Sequence, residues 1–264
     1  MPIHKMLRNV IHNVKDEVSM LKASLSLKRR ESSIHVHVIR CTTHKLSTAP
    51  SEDQIEPFIS VECIPYLLPQ VSINALLDRL HKTHNATVSL KCLFILHNII
   101  TKGSLEMKDI LFSYNSNGDH NAFNLSSFRD NTNHESLELS TWVCWHAKLL
   151  EDLLMFPKSL GYYLSLSNGA PKIEVSRLST AKLLGEIQDL IDFVEHVSHV
   201  PESLYLRKYH LVNEVVTLVM EDCGHVQHEI LWRVEEVRKR VGILDTGELR
   251  EILGCMNRLE ELGM

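Results

Sequence analysis

The stretch from Asn85 to Gly103, NATVSLKCLFILHNIITKG, constrains the fold of this chain more than any other segment. Read as a helix, its apolar side chains cover most of the circumference and leave Lys91, His97 and Asn98 as a thin polar strip. A helix of this kind is normally buried among other helices. The apolar run is too short and too interrupted to span a bilayer. The sequence therefore predicts a buried central helix that stops at a glycine.

The rest of the chain also shows mainly helical periodicity. Low glycine, proline and aromatic content beside 44% hydrophobic residues favours a helical globular protein. We predict an all-α architecture of successive antiparallel helices. The helices are expected near residues 2–30, from 51, at 72–82, after 103, and at 135–154, 176–197, 204–241 and 245–262, with a long irregular loop between about 114 and 136. In residues 33–43, Ile34, Val36 and Val38 alternate with histidines, a pattern that by itself leaves strand or helix open.

Cysteine usage and the N-terminus predict a compartment. The six cysteines are scattered and form no CxxC pair, which suits a reducing environment rather than a disulfide framework. The charged N-terminus lacks the apolar core of a signal peptide. We therefore expect a cytoplasmic protein.

Charge is distributed unevenly along the chain. The first 50 residues hold nine Lys or Arg and three Asp or Glu, a net of +6, so the remaining residues sum to −11 within the total of −5. This asymmetry suggests that one end faces an anionic partner, a membrane surface or a nucleic acid. The alternative is a solvated basic face without a partner.

The sixteen histidines raise the question of a metal site. Two pairs have i, i+3 spacing, namely His81 with His84 and His225 with His228, and residues 35–37 place two histidines on one face only if extended. Zinc needs three or four ligands, and no acid or cysteine stands at a suitable spacing. We expect solvent-facing helix histidines, with no metal and no cofactor. The common hydrolase, metalloprotease and nucleotide-binding motifs are absent, so an enzyme is not supported.

One short motif has two readings. Asp152-Leu153-Leu154 resembles the acidic-dileucine peptides that bind trafficking adaptors. Such peptides act when extended and exposed, whereas here the leucines lie at core positions of a predicted amphipathic helix. Core packing is the favoured interpretation.

Several segments in order carry a family resemblance. Leu80–Asn85 running into Val88–His97 resembles a characteristic segment of ANTH domains, the membrane-binding N-terminal domains of clathrin-assembly proteins, and is most similar to their plant members. Phe128–Asp130, then Ser140–Val143 and Leu149–Glu151, resemble a second characteristic segment.

The resemblance extends to both sides of these segments. Residues 33–43, ending in Val38–His44, are similar to the second helix of the family, which favours helix over strand there. A weaker likeness continues through Val215–Ile230, so it covers essentially the whole chain.

What the resemblance implies is an all-α right-handed superhelix of antiparallel helices, with residues 1–264 as a single domain. Members of the family bind phosphatidylinositol 4,5-bisphosphate, engage clathrin through a disordered tail and help to recruit SNAREs. The expected function is a clathrin-assembly adaptor in endocytosis or vesicle trafficking. We expect it to be a monomer, peripheral on plasma-membrane clathrin-coated pits, clathrin-coated vesicles and the Golgi. The chain ends at Met264 without a clathrin-binding tail, so that tail is expected to be absent.

The family's lipid motif is altered here. That motif is a Lys, nine residues, a Lys, one residue, a Lys or Arg, then His or Tyr, and Arg40 keeps its first position beside a retained His44. The later positions are occupied by Pro50, Glu52 and Asp53 or, with one insertion, by Ser51, Asp53 and Gln54. Carboxylates would repel a phosphate at these positions, which disfavours the usual phosphoinositide pocket.

Diffuse attraction to anionic lipid is what the remaining charges predict. Each Lys or Arg near an anionic leaflet contributes about 1 kcal/mol. The predicted lipid-binding residues are Lys28, Arg29, Arg30, Arg40, His44 and Lys45.

Two other functions are alternatives to the adaptor. The first is a helical scaffold for SNARE or other protein partners that has lost lipid binding, which Glu52 and Asp53 motivate. The second is a nucleic-acid binder that uses the same basic segment. The first 50 residues contain no Phe, Trp or Tyr for base stacking, so we expect no nucleic-acid partner.

Overall fold

The structure is a computed structural model that describes residues 3–26, 29–59, 69–116, 123–164, 175–203 and 205–264. All regular structure in these ranges is helical, which confirms the predicted all-α class. The α-helices are α1 (Ile3–Ser26), α2 (Arg29–Cys41), α3 (Glu52–Ile59), α4 (Pro69–Lys82), α5 (Ala86–Lys102), α6 (Leu105–Ser116), α7 (His134–Leu160), α8 (Thr180–Ser198), α9 (His210–Arg240) and α10 (Thr246–Glu261), with short 3-10 turns at Leu206–Lys208 and Val241–Ile243.

The segment with a strand-like alternation is helical. In α2 the buried residues Ile34, Val38 and Cys41 follow a spacing of four and then three, which is one face of a helix. The alternation with histidine is compatible with this face because His35 and His37 are only half-buried. The resemblance to a helical segment therefore predicted this element correctly.

The central helix α5 is as buried as its composition predicts. Every residue from Ala86 to Thr101 is buried. The side chain of Asn85 caps its first turn by accepting a hydrogen bond from the Val88 amide at 3.1 Å. The polar strip is buried too, and its side chains bond within the protein. Asn98, for example, donates to the Phe94 carbonyl at 2.9 Å.

Several helix boundaries differ from the prediction; α1 ends at Ser26 rather than 30, and α4 begins at Pro69 rather than 72. Helix α8 begins at Thr180 rather than 176, because Ser179 caps it by accepting a hydrogen bond from the Lys182 amide. The predicted 204–241 helix is interrupted by the 3-10 turn and an extended Tyr209, so α9 starts at His210. Helix α7 continues through Pro157 to Leu160 rather than stopping at 154.

The first of two compact units comprises Met1–Leu150 and Pro201–Val216. In it α5 contacts α3, α4 and α6, and α2 contacts α1 and α4. These packings hold the N-terminal helices around α5. None of the described helices combines the length and apolarity needed to cross a bilayer.

The second compact unit comprises Glu151–Val200 and Thr217–Met264, and in it α10 packs against α8. Its core holds a buried ionic cluster in which Arg233 bonds to Glu186 and Glu229 at 2.7 and 2.5 Å. Leu153 and Leu154 are buried in α7, which confirms core packing for the dileucine motif. The single domain over residues 1–264 stays a prediction.

Candidate anion-binding surface

The predicted lipid-binding residues fall into two groups. Lys28 lies outside the described residues, and Arg29 and Arg30 begin α2, but their side chains are also outside the description. Arg40, in the last turn of α2, is exposed, and so is Lys45 in the loop that follows. The described members therefore present cations at the end of α2.

His44 is held in place by an acid that the sequence did not single out. Its Nδ1 donates to Asp16 Oδ1 at 2.6 Å, and its backbone amide donates to Asp16 Oδ2 at 3.2 Å. Arg79 Nη2 lies 3.7 Å from the same carboxylate. Burial raises the pKa of Asp16, but the hydrogen bonds and charge of His44 and the charge of Arg79 outweigh burial and leave the pKa below its usual value. Asp16 therefore ties α1 to α4 and to the loop after α2 as a carboxylate.

The acids at the family's basic positions begin a helix. Glu52 and Asp53 are exposed in the first turn of α3, where negative charge is favoured by the helix dipole. The Ser51 amide donates to the Gln54 side chain at 3.0 Å, which closes that turn. This loop thus presents carboxylates to solvent, where the family motif would place cations.

A cleft lies between α1 and the corner that joins α4 to α5. It has a volume of about 560 Å³, within the usual range for small-molecule sites. Four Lys or Arg and three His line it, and its described lining contains no Asp or Glu. From α1 come His12, Val14, Lys15, Val18, Ser19 and Lys22, and opposite them lie His44, Arg79, Lys82, Thr83, His84, Asn85, Thr132 and Ser136.

The apolar stripe of α1 faces outward. Val10, Val14, Val18 and Leu21 recur at helical spacing, yet each is between 43% and 62% exposed. The helical period places Lys15 and Lys22, both exposed, directly beside this stripe. The helix predicted near residues 2–30 thus has an apolar stripe, but this part of the stripe covers no core.

A buried lysine of α5 contacts the loop after α2. Lys91 of α5 is 1% exposed, and its Nζ donates to Thr43 Oγ1 at 3.0 Å. Burial lowers the pKa of Lys91 to about 8, and nearby Asp16 partly opposes this effect. Lys91 therefore links α5 to the loop after α2 through this hydrogen bond.

Most residues of the cleft were missed by sequence reasoning. Lys15 and Lys22 were counted among the basic residues of the first fifty but were not predicted to bind lipid. Arg79 and Lys82 were not predicted as binding residues either. A signal was present, because each pair shares a helix face by its spacing of seven or three residues. No spacing could have shown that the two faces meet. Among the described residues no group of three or more His, Cys, Asp or Glu is arranged to hold a metal ion.

Comparison with known proteins gives consistent matches. The sequence pattern that defines the ANTH domain matches residues 33–263. Three similar proteins come from Arabidopsis thaliana. "Putative clathrin assembly protein At4g40080" is 31% identical over 260 residues, covering 96% of this chain and 71% of that protein. "Putative clathrin assembly protein At5g10410" is 27% identical over 252 residues, with 91% and 72% covered. "Putative clathrin assembly protein At5g65370" is 24% identical over 264 residues, with 94% and 86% covered.

Proposed function

Because this chain belongs to the ANTH domain family, we propose that it is a clathrin-assembly adaptor that attaches peripherally to anionic membrane and acts in endocytosis or vesicle trafficking. The clathrin-assembly role is carried over from the names of the relatives. Membrane attachment rests on one observation in this chain, the exposed face of α1, where apolar side chains lie beside lysines.

That face has the chemistry of an interfacial helix. Its apolar side chains can enter the boundary between headgroups and acyl chains, while Lys15 and Lys22 stay among the headgroups. Each lysine near an anionic leaflet adds about 1 kcal/mol. Arg40 and Lys45 add cations at the end of α2. Together they support attachment that is peripheral and sensitive to salt.

The finer assignments follow the family and are part of the same proposal. Phosphatidylinositol 4,5-bisphosphate is the proposed lipid, and clathrin and SNARE proteins are the proposed protein partners. The sites of action would be clathrin-coated pits, clathrin-coated vesicles and the Golgi, with the protein arriving from the cytoplasm as a monomer. Their support is membership of the family.

Vesicle co-sedimentation tests the proposal. The protein should bind vesicles of phosphatidylserine and phosphatidylcholine, and not phosphatidylcholine alone. Binding should weaken between about 50 and 500 mM salt, as screening shortens the Debye length. Lys15→Glu/Lys22→Glu should remove most of the binding because it reverses both charges beside the apolar stripe.

A double variant on other surfaces is the matched control. Arg207→Glu/Arg250→Glu makes the same change in net charge at two exposed positions that do not belong to α1, so it should retain binding. Equal loss in both variants would mean that net charge alone decides binding, and the assignment to α1 would fail.

A helical scaffold that does not bind lipid is the second candidate. It is favoured by Glu52 and Asp53, exposed where the family motif has cations. Absence of binding to any anionic vesicle at low salt would leave this candidate standing and overturn the membrane adaptor.

A further inference from the structure

We infer that the cleft between α1 and the α4–α5 corner is a docking site for a short, extended, acidic segment of a partner protein. In this segment two or more Asp or Glu flank an aliphatic side chain. The inference goes beyond the proposed function, because it gives the basic surface a protein ligand in addition to the membrane.

The spacing of the lysines on α1 matches that of acids in an extended chain. Lys15 and Lys22 both line the cleft and lie two helical turns apart, about 10 Å along the helix axis. An extended chain rises about 3.3 Å per residue, so two acids three residues apart span the same distance. Within the described part of the chain, Lys15 and Lys22 form no ion pair. Such a segment therefore reaches both ammonium groups without displacing a carboxylate of this chain.

The α1 wall of the cleft is apolar as well as basic. Val14 and Val18 line it one helical turn apart, and they are 52% and 43% exposed. A leucine or isoleucine between the acids would cover these side chains, and the area removed from water adds affinity. A purely ionic ligand would leave both valines in water. The two valines therefore favour a peptide over a simple anion.

Hydrogen-bond donors without acceptors lie among the other residues that line the cleft. The Nε of Arg79 is buried and has no partner among the described residues, and a guanidinium can bind a carboxylate through two parallel hydrogen bonds. The side chain of Asn85 uses its oxygen to cap α5, while its amide nitrogen has no partner in the described part of the chain. A carboxylate at Arg79 and a main-chain carbonyl at Asn85 would satisfy these donors.

The size of the cleft favours an extended segment over a helix. Two turns of α-helix, about 10 Å across and about 11 Å long, occupy roughly 850 Å³. The cleft holds about 560 Å³, which is within the range of sites for small ligands. The ligand is therefore a few residues of a partner's loop or disordered region, where the main chain is free to extend.

Fluorescence polarisation at about 150 mM salt tests the inference with the fluorescein-labelled peptide Asp-Glu-Leu-Asp-Glu. Wild-type protein should bind it with a Kd of about 100 μM or below. The peptide Asp-Glu-Ser-Asp-Glu keeps the charge and lacks the leucine, so its binding should be about tenfold weaker. The peptide Asn-Gln-Leu-Asn-Gln keeps the leucine and lacks the charge, and it should not bind measurably.

Protein variants locate the site. Lys15→Gln/Lys22→Gln should weaken binding of the parent peptide by about tenfold or more, because two charge-assisted contacts are lost. Val18→Ser should weaken binding of the parent peptide and leave that of Asp-Glu-Ser-Asp-Glu unchanged. Arg40→Gln/Lys45→Gln removes the same charge at the end of α2 and in the loop that follows, and should change the affinity by less than about threefold.

Competition with vesicles separates this inference from the proposed function. Lys15 and Lys22 serve both ligands, so vesicles of phosphatidylserine and phosphatidylcholine should displace the peptide. The inference is overturned if no acidic peptide binds, if the peptide without leucine binds as tightly as the parent, or if the two double variants lose affinity equally. It is also overturned if vesicles bind without displacing the peptide. Peptide binding without vesicle binding would contradict only the adaptor proposal, whereas vesicle binding without peptide binding would contradict only this inference.

Discussion

Two histidines meet in the core of the first unit, His97 of α5 and His146 of α7. Both are fully buried, and His97 Nδ1 lies 3.0 Å from His146 Nε2. The other nitrogen of His146, Nδ1, has no partner among the described residues. Burial, and then the neighbouring His97, holds the pKa of His146 well below its usual value. A proton on His146 is thus disfavoured in the folded chain and unhindered in the unfolded one.

Acid should therefore destabilise the fold through His146. Its contribution to stability is fully present above the unfolded pKa of about 6.5 and is lost below it, by about 1.4 kcal/mol per pH unit. Urea unfolding at about pH 7.5 and about pH 5.5 measures this slope. His146→Leu should remove this part of the slope, while His228→Gln, on an exposed histidine, should keep it. An unchanged slope in His146→Leu would contradict the assignment.

The buried ammonium of Lys91 gives a second prediction, for a group that is still charged at neutral pH. Its pKa in the fold, about 8, lies below the ordinary lysine value of 10.5. The unfolded chain therefore binds more protons between these values, and stability rises with pH across that window. At neutral pH the buried charge costs up to about 3 kcal/mol. Lys91→Met should thus be stabilising near pH 7 by about 1–3 kcal/mol, less whatever the loss of the bond to Thr43 removes.

Unfolding of Lys91→Met at two pH values checks this. The gain should shrink near pH 10, where wild-type Lys91 is itself neutral in the fold. Lys102→Met, at the exposed end of the same helix, should have little effect at either pH. A loss of stability in Lys91→Met at neutral pH would mean that the ammonium is a net support of the loop after α2.

The polar strip of α5 marks what composition can predict at the residue scale. Burial of this helix followed from its apolar circumference. The environment of the strip did not, because Lys91 reaches Thr43 and His97 reaches His146, partners 48 and 49 residues away in sequence. Spacing within one helix contains no information about such partners.

At the element scale, the glycine that ends α5 acts by close approach. Its φ is −68°, an ordinary value, so no left-handed conformation is required. A Cβ on Gly103 would instead lie 2.4 Å from the Ile99 carbonyl oxygen. Gly103→Ala should therefore destabilise the protein, by about 1–3 kcal/mol, because the backbone must move.

The same substitution in another helix gives a control of opposite sign. Gly254 lies within α10 with nothing within 4 Å of its Cβ position. Gly254→Ala should stabilise by about 0.5–1 kcal/mol, the usual difference in helix propensity. Thermal unfolding of both variants compares the two effects. Similar shifts of the same sign would contradict the steric explanation.

Element type was predictable here, and boundaries were less so. The spacing of apolar residues predicted most of the helices. For α2 the prediction depended on the family resemblance, because the alternation of Ile34, Val36 and Val38 fits either a strand or a helix. The start of α8 depends on one hydroxyl, that of Ser179. A single capping bond can move a boundary by a turn without changing the apolar pattern.

At the scale of the whole molecule, the charge asymmetry of the sequence covers only part of the candidate surface. Lys15 and Lys22 belong to the basic first fifty residues, whereas Arg79 and Lys82 come from the acidic remainder. Asp16 helps to bring them together, because it bonds to His44 and lies near Arg79. The cleft therefore depends on Asp16, an acid that lowers the net positive charge of the first fifty residues.

This gives a test that separates architecture from charge. Asp16→Asn removes a negative charge beside the cleft, so an electrostatic account with fixed geometry predicts tighter binding to vesicles of phosphatidylserine and phosphatidylcholine. We expect weaker binding instead, because the amide cannot replace a carboxylate that accepts two bonds from His44 and faces Arg79. Removing one partner of a buried charged network is also costly, on the order of 3 kcal/mol. Helix α1 should become more mobile, and the spacing between the lysines and Arg79 should be lost.

Hydrogen exchange and vesicle co-sedimentation on the same variant decide between the two accounts. Faster amide exchange confined to α1, together with weaker binding, would show that the carboxylate positions the cations. Tighter binding with unchanged exchange would show that α1 is held without Asp16, and that Asp16 merely reduces the positive potential. Glu17→Gln, on an exposed acid of the same helix, removes the same charge without touching the network and should bind slightly more tightly. We expect Asp16→Asn to weaken binding and Glu17→Gln to strengthen it. Opposite effects of these two substitutions would show that the position of α1, and not its net charge, controls binding.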